Sequence, residues 1–173
     1  MIYYNQEDLI IRSMNEQDIE DFPNAFKKQG WIKPASQFRK YYNQQEAGER
    51  WVIVAEKDGE VAGYVTLVPQ AQEGPFANKG IPEIVDFNVL IKYQRLGIGS
   101  LMLDIVENIA REKSEYVSLG VGLHSGYGQA QRLYVKRGYI PDGTGVWYDG
   151  EQLKQYVPTM NDDSLNLYML KKL

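Results

Sequence analysis

The sequence contains no cysteine and only one histidine, His124. Without cysteine the chain has no disulfides, no thiolate metal ligands and no cysteine nucleophile. A single histidine cannot supply the pairs of imidazole ligands found in many zinc sites, so carboxylates are the more numerous bases for proton transfer. The composition therefore argues against a bound metal and is compatible with a reducing, cytoplasmic environment.

Long apolar runs and long basic runs are also missing. No segment reaches the roughly 18 apolar residues of a membrane-spanning helix, and the first residues do not resemble a signal peptide. Nineteen Lys and Arg against twenty-three Asp and Glu give a formal charge of -4, and no basic block is long enough to follow a phosphate backbone. We therefore expect no membrane and no nucleic-acid partner, and a cytoplasmic localisation.

The remaining composition is that of an ordinary soluble protein. Hydrophobic residues make up 43% and charged residues 24% of the 173 residues, which is typical of globular proteins. A chain of this length builds one core of ordinary size, so we predict a single domain over residues 1–173. The sequence leaves open whether two chains form a homodimer.

Apolar periodicity and turn residues divide the chain into strands and helices. Strands are predicted at 9–14, 51–56, 61–68, 83–91, 116–123, 145–148 and 165–170. Helices are predicted after Asn15, at 35–46, at 98–109 and at 128–137. Pro23 is expected to break or kink the first helix, and residues 69–81 are expected to form a long functional or mobile loop. This order of elements predicts a mixed α/β fold of the α+β type.

The segment YQRLGIG, residues 93–99, places two glycines between a buried strand and a strongly helical run. The first N–H groups of a helix lack intrahelical partners, and the helix dipole makes that end partly positive, so pyrophosphate can bind there. Glycines at positions 97 and 99 would let it approach closely, and Gln94 and Arg95 would add donors. The alternative is a strand-to-helix turn that binds nothing.

Two other phosphate-binding motifs fail on this sequence. A P-loop requires Gly-Lys-Ser or Gly-Lys-Thr, and neither occurs. A dinucleotide fingerprint requires Gly-x-Gly-x-x-Gly after the first strand. Here Met102 takes the place of the third glycine and the motif follows a later strand, so that reading is weak.

Residues Gln94 to Gly99 match Gln/Arg-x-x-Gly-x-Gly/Ala and resemble the acyl-CoA pyrophosphate loop of the GNAT N-acetyltransferase superfamily. A second stretch, AQRLYVKRGY at 130–139, is similar to the family segment A-x-x-L-Y-x-x-x-G-F, with Tyr134 in the tyrosine position. The resemblance spans most of the chain. It implies the GNAT fold, a mixed sheet of about seven strands with about four helices on its two faces.

The resemblance implies transfer of an acetyl group from acetyl-CoA, as co-substrate, to a primary amine by direct attack, without a metal. We expect a small-molecule amine as acceptor. A protein or peptide acceptor, a non-catalytic acyl-CoA-binding module and an unrelated nucleotide-binding protein are the alternatives. The implied cofactor-binding residues are Val89, Leu90, Ile91, Gln94, Arg95, Leu96, Gly97, Ile98, Gly99, Ser100, Tyr127 and Tyr134.

Three chemical roles follow from the resemblance. An amine with a pKa near 10 is mostly protonated at pH 7, so a base must remove its proton before attack. Glu83 is the first candidate base, with Asp86 and His124 as alternatives. Tyr134 is expected to protonate the departing thiolate, the alternative being an aromatic side chain packed in the core. A backbone N–H near Val89 is expected to stabilise the carbonyl oxygen.

The sequence departs from the family at Tyr127, where many members carry asparagine, so one cofactor contact is expected to differ. The acceptor site is expected to involve residues 21–42, 69–82 and 149–164. The aromatic side chains of these segments either surround an amine or belong to the core. They are Trp31, Phe38, Tyr41, Tyr42, Phe76 and Tyr156.

Overall fold

The computed structural model covers residues 1–173 and contains four α-helices and nine β-strands. The helices are α1 (Asp18–Lys28), α2 (Ala35–Glu46), α3 (Ile98–Arg111) and α4 (Gly128–Lys136). The strands are β1 (Ile2–Gln6), β2 (Leu9–Ser13), β3 (Trp51–Lys57), β4 (Glu60–Val68), β5 (Glu83–Val89), β6 (Tyr116–Gly122), β7 (Ile140–Tyr148), β8 (Glu151–Gln152) and β9 (Leu165–Lys172). The predicted mixed α/β fold is confirmed, with two more strands than expected. No helix has the length and apolar character needed to span a membrane.

The chain forms two compact units. The first contains residues 1–68 and 85–109, and the second contains residues 69–84 and 110–173. Strand β5 contributes its first two residues to the second unit and the others to the first. The single domain over residues 1–173 stays a prediction.

In the first unit the strands follow the order β1-β2-β3-β4-β5. The pairs β1/β2, β2/β3 and β3/β4 are antiparallel. Asp58 and Gly59 have φ angles of 54° and 75°, the left-handed values that a tight hairpin turn requires. The strands predicted at 51–56 and 61–68 therefore form a hairpin. The prediction omitted β1, a short strand that ends in two polar residues and pairs with β2 across a turn at Glu7.

The core beneath α1 and α2 is aromatic. The Phe22 ring lies 5.1 Å from the Phe38 ring and 5.0 Å from the Tyr64 ring, and all three side chains are almost fully buried. This burial explains why α1 continues through Pro23 to Lys28. Pro23 therefore does not break the helix, because packing of the aromatic face outweighs the loss of one backbone hydrogen bond, and a kink at Pro23 stays a prediction.

Arg12 ties the start of α1 to the sheet. Its guanidinium donates to both carboxylate oxygens of Asp18, at 2.7 and 2.9 Å, and to Glu56 at 3.0 Å. Asp18 is fully buried. Asn15 and Asp18 also exchange backbone-to-side-chain hydrogen bonds just before α1.

Helix α3 buries part of the face that its apolar spacing predicts, which consists of Ile98, Leu101, Met102, Ile105 and Ile109. Ile98 and Met102 are buried as predicted, whereas the other three are half-buried. Leu103 and Val106, which lie beside the predicted face, have no exposed surface. Apolar residues cover more than half of the circumference of this helix, so periodicity alone could not show which part the sheet covers.

In the second unit the first residues of β5 pair in parallel with β6, as Glu83 with Ser118 and Ile84 with Leu119. Strand β9 pairs antiparallel with both β6 and β7, and β7 pairs antiparallel with β8. Helix α3 connects these two parallel strands, which makes a βαβ crossover. The loop at 69–81 is partly structured, since its 3₁₀ turn at Gly74–Phe76 buries Phe76 against Tyr168.

Candidate active site

The loop at 94–97 leads directly into α3. Arg95 and Gly97 have left-handed φ angles of 65° and 81°. The Leu101 N–H donates to the Gly97 carbonyl at 3.1 Å, which makes Gly97 the N-cap residue. Glycine has no side chain with which to cap the first turn of a helix, so the N–H groups of this turn are well suited to an anionic ligand.

Gly99 has a packing role that the motif did not suggest. A Cβ atom at this position would lie 3.1 Å from Cζ of Phe87 on β5. A Cβ atom at Gly63 would lie 2.6 Å from the carbonyl oxygen of Asn88. The two glycines therefore let α3 and β4 approach β5 closely just before the glycine loop.

The segment Val89–Ile91 is less extended than predicted. Strand β5 ends at Val89, and residues Ile91–Tyr93 form a 3₁₀ turn. The Leu90 N–H donates to the Ala62 carbonyl at 2.9 Å, and the Ile91 N–H donates to Gln29 Oε1 at 3.0 Å. A strand through Ile91 is therefore wrong, and a cofactor that bound to these two N–H groups would have to replace existing hydrogen bonds.

Asp86 on β5 is the centre of a polar cluster that faces α1 and α2. Its carboxylate accepts hydrogen bonds from five side chains, of which the Tyr64 hydroxyl and the Gln37 amide are nearest, both at 2.6 Å. Asp86 has a φ angle of 52°, a left-handed conformation that costs energy on a strand and is often found at functional sites. The other donors are Lys33, Tyr41 and Asn88.

The Asp86 cluster changes the acidity of two tyrosines. Burial and then the Asp86 charge raise the pKa of Tyr41 to about 12. The same causes, in the same order, raise the pKa of Tyr64 further above its usual value. Both phenols stay protonated and act as hydrogen-bond donors to the carboxylate. The sequence did not indicate Tyr64, because it lies in a strand that reads as uniformly buried.

The other two candidate bases have different surroundings. Glu83 begins β5 and is half-buried. Burial raises the pKa of Tyr168 to about 12, and the charge of Glu83 is the second cause of this rise. Nδ1 of His124 accepts the Gly126 N–H at 3.1 Å, and Nε2 lies 2.9 Å from Asp163. Both nitrogens of His124 are therefore engaged in local contacts.

Tyr134 lies on α4 with only 6% of its surface exposed, and its ring lies 5.7 Å from the Tyr139 ring. Burial, and then the nearby Tyr127, raise its pKa above the usual value, and no hydrogen bond contributes to the shift. The phenol therefore stays protonated, as a proton donor requires.

The Tyr127 hydroxyl donates to Asp163 at 3.0 Å, a role that the family's asparagine does not predict.

The six predicted acceptor-site aromatics differ in burial. Phe38 and Phe76 are buried core residues, Tyr41 belongs to the Asp86 cluster, and Tyr42 is half-buried. Trp31 and Tyr156 are exposed, at 45% and 92%. No group of three or more His, Asp or Glu side chains is arranged to hold a metal ion.

Replacing Gly97 with alanine is expected to weaken acetyl-CoA binding at least tenfold. A left-handed φ angle costs about 1–2 kcal/mol for a residue with a Cβ atom, so the loop would change to a conformation with a different φ angle at this position. Gly48→Ala is the matched control. Gly48 has a φ angle of 73° and, like Gly97, has no atom within 4 Å of the position that a Cβ atom would take. Both variants should lose similar stability by thermal melting, while only Gly97→Ala loses affinity by calorimetry. Equal affinity in the two variants would make the loop a structural turn.

Comparison with known proteins identifies the family of this chain. The family described as "Acetyltransferase (GNAT) family" matches residues 11–139, whereas no curated protein matches the chain. Among solved structures, a ribosomal-protein-alanine N-acetyltransferase from Brucella melitensis is 19% identical, with a TM-score of 0.68 over 94% of this chain and 99% of that one. The protein yncA from Salmonella typhimurium, solved with its cofactor acetyl-CoA, is 16% identical, with a TM-score of 0.67 over 96% and 94%.

A spermidine N-acetyltransferase chimera from Vibrio cholerae and hSSAT is 12% identical, with a TM-score of 0.67 over 96% of each chain. At these identities the three structures establish likeness of fold alone. The family match covers well over half of the sequence and includes both the glycine loop and the Tyr134 segment. The chain therefore belongs to the GNAT family of acetyltransferases.

Proposed function

We propose that the protein transfers an acetyl group from acetyl-CoA to a primary amine of a small molecule by direct attack. The observation that carries this proposal is the loop from Gln94 to Gly97, in which a glycine with a φ angle of 81° caps α3. This geometry leaves the first turn of the helix open to the pyrophosphate of a CoA ester. The family match supports the same donor.

The proposed chemistry assigns one proton transfer to each of two residues. Glu83 takes a proton from the acceptor ammonium, directly or through water, and Tyr134 donates a proton to the departing thiolate. Asp86 is the weaker candidate base, because five side chains already donate hydrogen bonds to it. A backbone N–H near Val89 stabilises the negative charge on the acetyl oxygen.

Acetyl-CoA is expected to raise the melting temperature, whereas ATP and NAD at equal concentration are not. A ligand that binds only the folded state at 100 times its dissociation constant adds about 2.7 kcal/mol of stability, and for a chain of this size this corresponds to about 5–10 °C. Differential scanning fluorimetry measures the effect. A shift with NAD and none with acetyl-CoA would refute the proposed donor.

A screen of amines then separates a catalyst from a binding module. Thiol release from acetyl-CoA is followed with polyamines, amino acids, amino sugars and peptides, and without acceptor. Activity with small amines supports the proposal, and activity restricted to peptides supports the protein-acceptor alternative. Acetyl-CoA binding without thiol release from any of them would identify a non-catalytic acyl-CoA-binding module.

A further inference from the structure

The Lys33 ammonium occupies a site built to recognise a primary amine. Nζ of Lys33 lies 3.1 Å from Oδ1 of Asp86 and 2.8 Å from the Tyr64 hydroxyl. It also lies 5.4 Å from the centre of the Phe26 ring and 5.5 Å from that of Tyr64. A carboxylate, a hydroxyl and two aromatic rings form the combination that binds ammonium ligands.

This site does not depend on Lys33 for its own structure. Phe26 and Tyr64 have no exposed surface. Gln37, Tyr41 and Asn88 hold the Asp86 carboxylate in place through donors of their own, at 2.6, 3.0 and 2.7 Å. Removing the lysine side chain would therefore leave a preorganised anionic site with aromatic walls.

The position of Lys33 differs from that of the residues around it, which lie on helices and strands. It lies in the connection between α1 and α2, outside regular secondary structure. Gly30 in this connection has a φ angle of 82°, the neighbouring Ile32 is 94% exposed, and the Lys33 side chain is 21% exposed. Part of the Lys33 side chain is therefore in contact with solvent.

We propose that Asp86, Tyr64 and Phe26 form the ammonium subsite of the acceptor, and that Lys33 fills this subsite until a cationic amine displaces it. The inference rests on the proposed function and narrows its acceptor to an alkyl primary ammonium, which has the chemistry of the lysine side chain. Asp86 lies on β5 three residues before Val89. The backbone near Val89 is where acetyl transfer is proposed. The subsite therefore holds Lys33 when no acceptor is present and the acceptor ammonium when one is bound.

Chemical rescue tests the subsite without any acetyltransferase assay. In Lys33→Ala, n-butylammonium chloride should raise the melting temperature in a saturable manner, because its ammonium group and alkyl chain replace the charge and the three carbons (Cγ, Cδ and Cε) that were removed. Sodium chloride at equal ionic strength and 1-butanol should have no such effect. Lys40→Ala, which removes an exposed lysine of α2, and the double variant Lys33→Ala/Asp86→Asn should not respond. A flat response in Lys33→Ala would overturn the proposal.

Displacement is tested in the unmodified protein by NMR of ¹³C-labelled lysine, which also serves if Lys33→Ala does not fold. Titration with n-butylammonium should move the Lys33 Cε signal toward its position in a free chain and leave that of Lys40 in place. An unmoved Lys33 signal at saturating amine would overturn the proposal. The acetyl-CoA melting shift does not depend on this subsite. Absence of that shift would therefore count against the proposed function, whereas an unmoved Lys33 signal counts against the subsite.

With an acceptor from the amine screen, Lys33→Ala should lower KM by about tenfold if Lys33 fills the subsite nine-tenths of the time. The value of kcat should not fall, because Lys33 takes part in neither proton transfer. A higher KM would instead mean that Lys33 binds an anionic group of the acceptor, and would overturn the proposal.

Discussion

Replacing Tyr134 with phenylalanine is expected to lower kcat by about 10²- to 10⁴-fold, the usual contribution of one acid–base group. Folding and acetyl-CoA affinity should change little. The ring keeps its packing against Tyr139, and no hydrogen bond contributes to the pKa of the lost hydroxyl. Single-turnover kinetics with an acceptor from the amine screen would measure the chemical step.

Tyr139→Phe is the matched control, since it removes the hydroxyl of another buried tyrosine in the same unit. It should retain turnover.

The pH profile gives a second measurement. Because burial raises the pKa of Tyr134 above its usual value near 10, the acid stays protonated and activity should not decline up to about pH 10. A Tyr134→Phe variant with full single-turnover rates would return this side chain to a packing role.

Replacing Arg12 with methionine is expected to lower the free energy of unfolding by about 3–5 kcal/mol, the usual cost of removing one partner from a buried ion pair. Asp18 has no exposed surface and receives two hydrogen bonds from Arg12. Without the guanidinium, a buried carboxylate loses its main compensating charge. Urea unfolding monitored by circular dichroism would measure the change.

Two further variants show whether burial is the cause. Lys92→Met breaks an ion pair with Glu60 in which both side chains are more than half exposed, so the urea midpoint should barely move. Arg12→Met/Asp18→Asn removes both charges of the buried pair and should recover part of the lost stability. Equal midpoints for Arg12→Met and the unmodified protein would show that this pair contributes nothing.

Local sequence determined the elements whose signals are short-ranged. Helix α2 begins after Pro34 and ends at Glu46 as predicted, because its start signal and apolar spacing lie within twelve residues. The hairpin at Asp58-Gly59 and the end of α4 before Gly138 depend on left-handed φ angles that glycine adopts readily. The glycine loop was predictable for the same reason.

Other features depend on contacts between residues that are far apart in the chain. The inward face of α3, the continuation of α1 through Pro23 and the end of β5 at Val89 are each set by what packs against them. Local propensity is weak compared with the burial of apolar surface, so tertiary contacts override it where the two differ.

The chemical surroundings of the site were also decided by tertiary structure. The sequence identified the loop at 94–99 and Tyr134 by their resemblance to the GNAT pattern, but it gave no sign that Lys33, Tyr64 and Asp86 lie together. These residues are 22 to 53 positions apart, and each alone reads as a surface charge, a strand residue or a candidate base. Only the folding of α1 and α2 against β4 and β5 brings the ammonium to the carboxylate, because hydrogen bonds and charge pairs act over a few ångströms in space, whatever the separation along the chain.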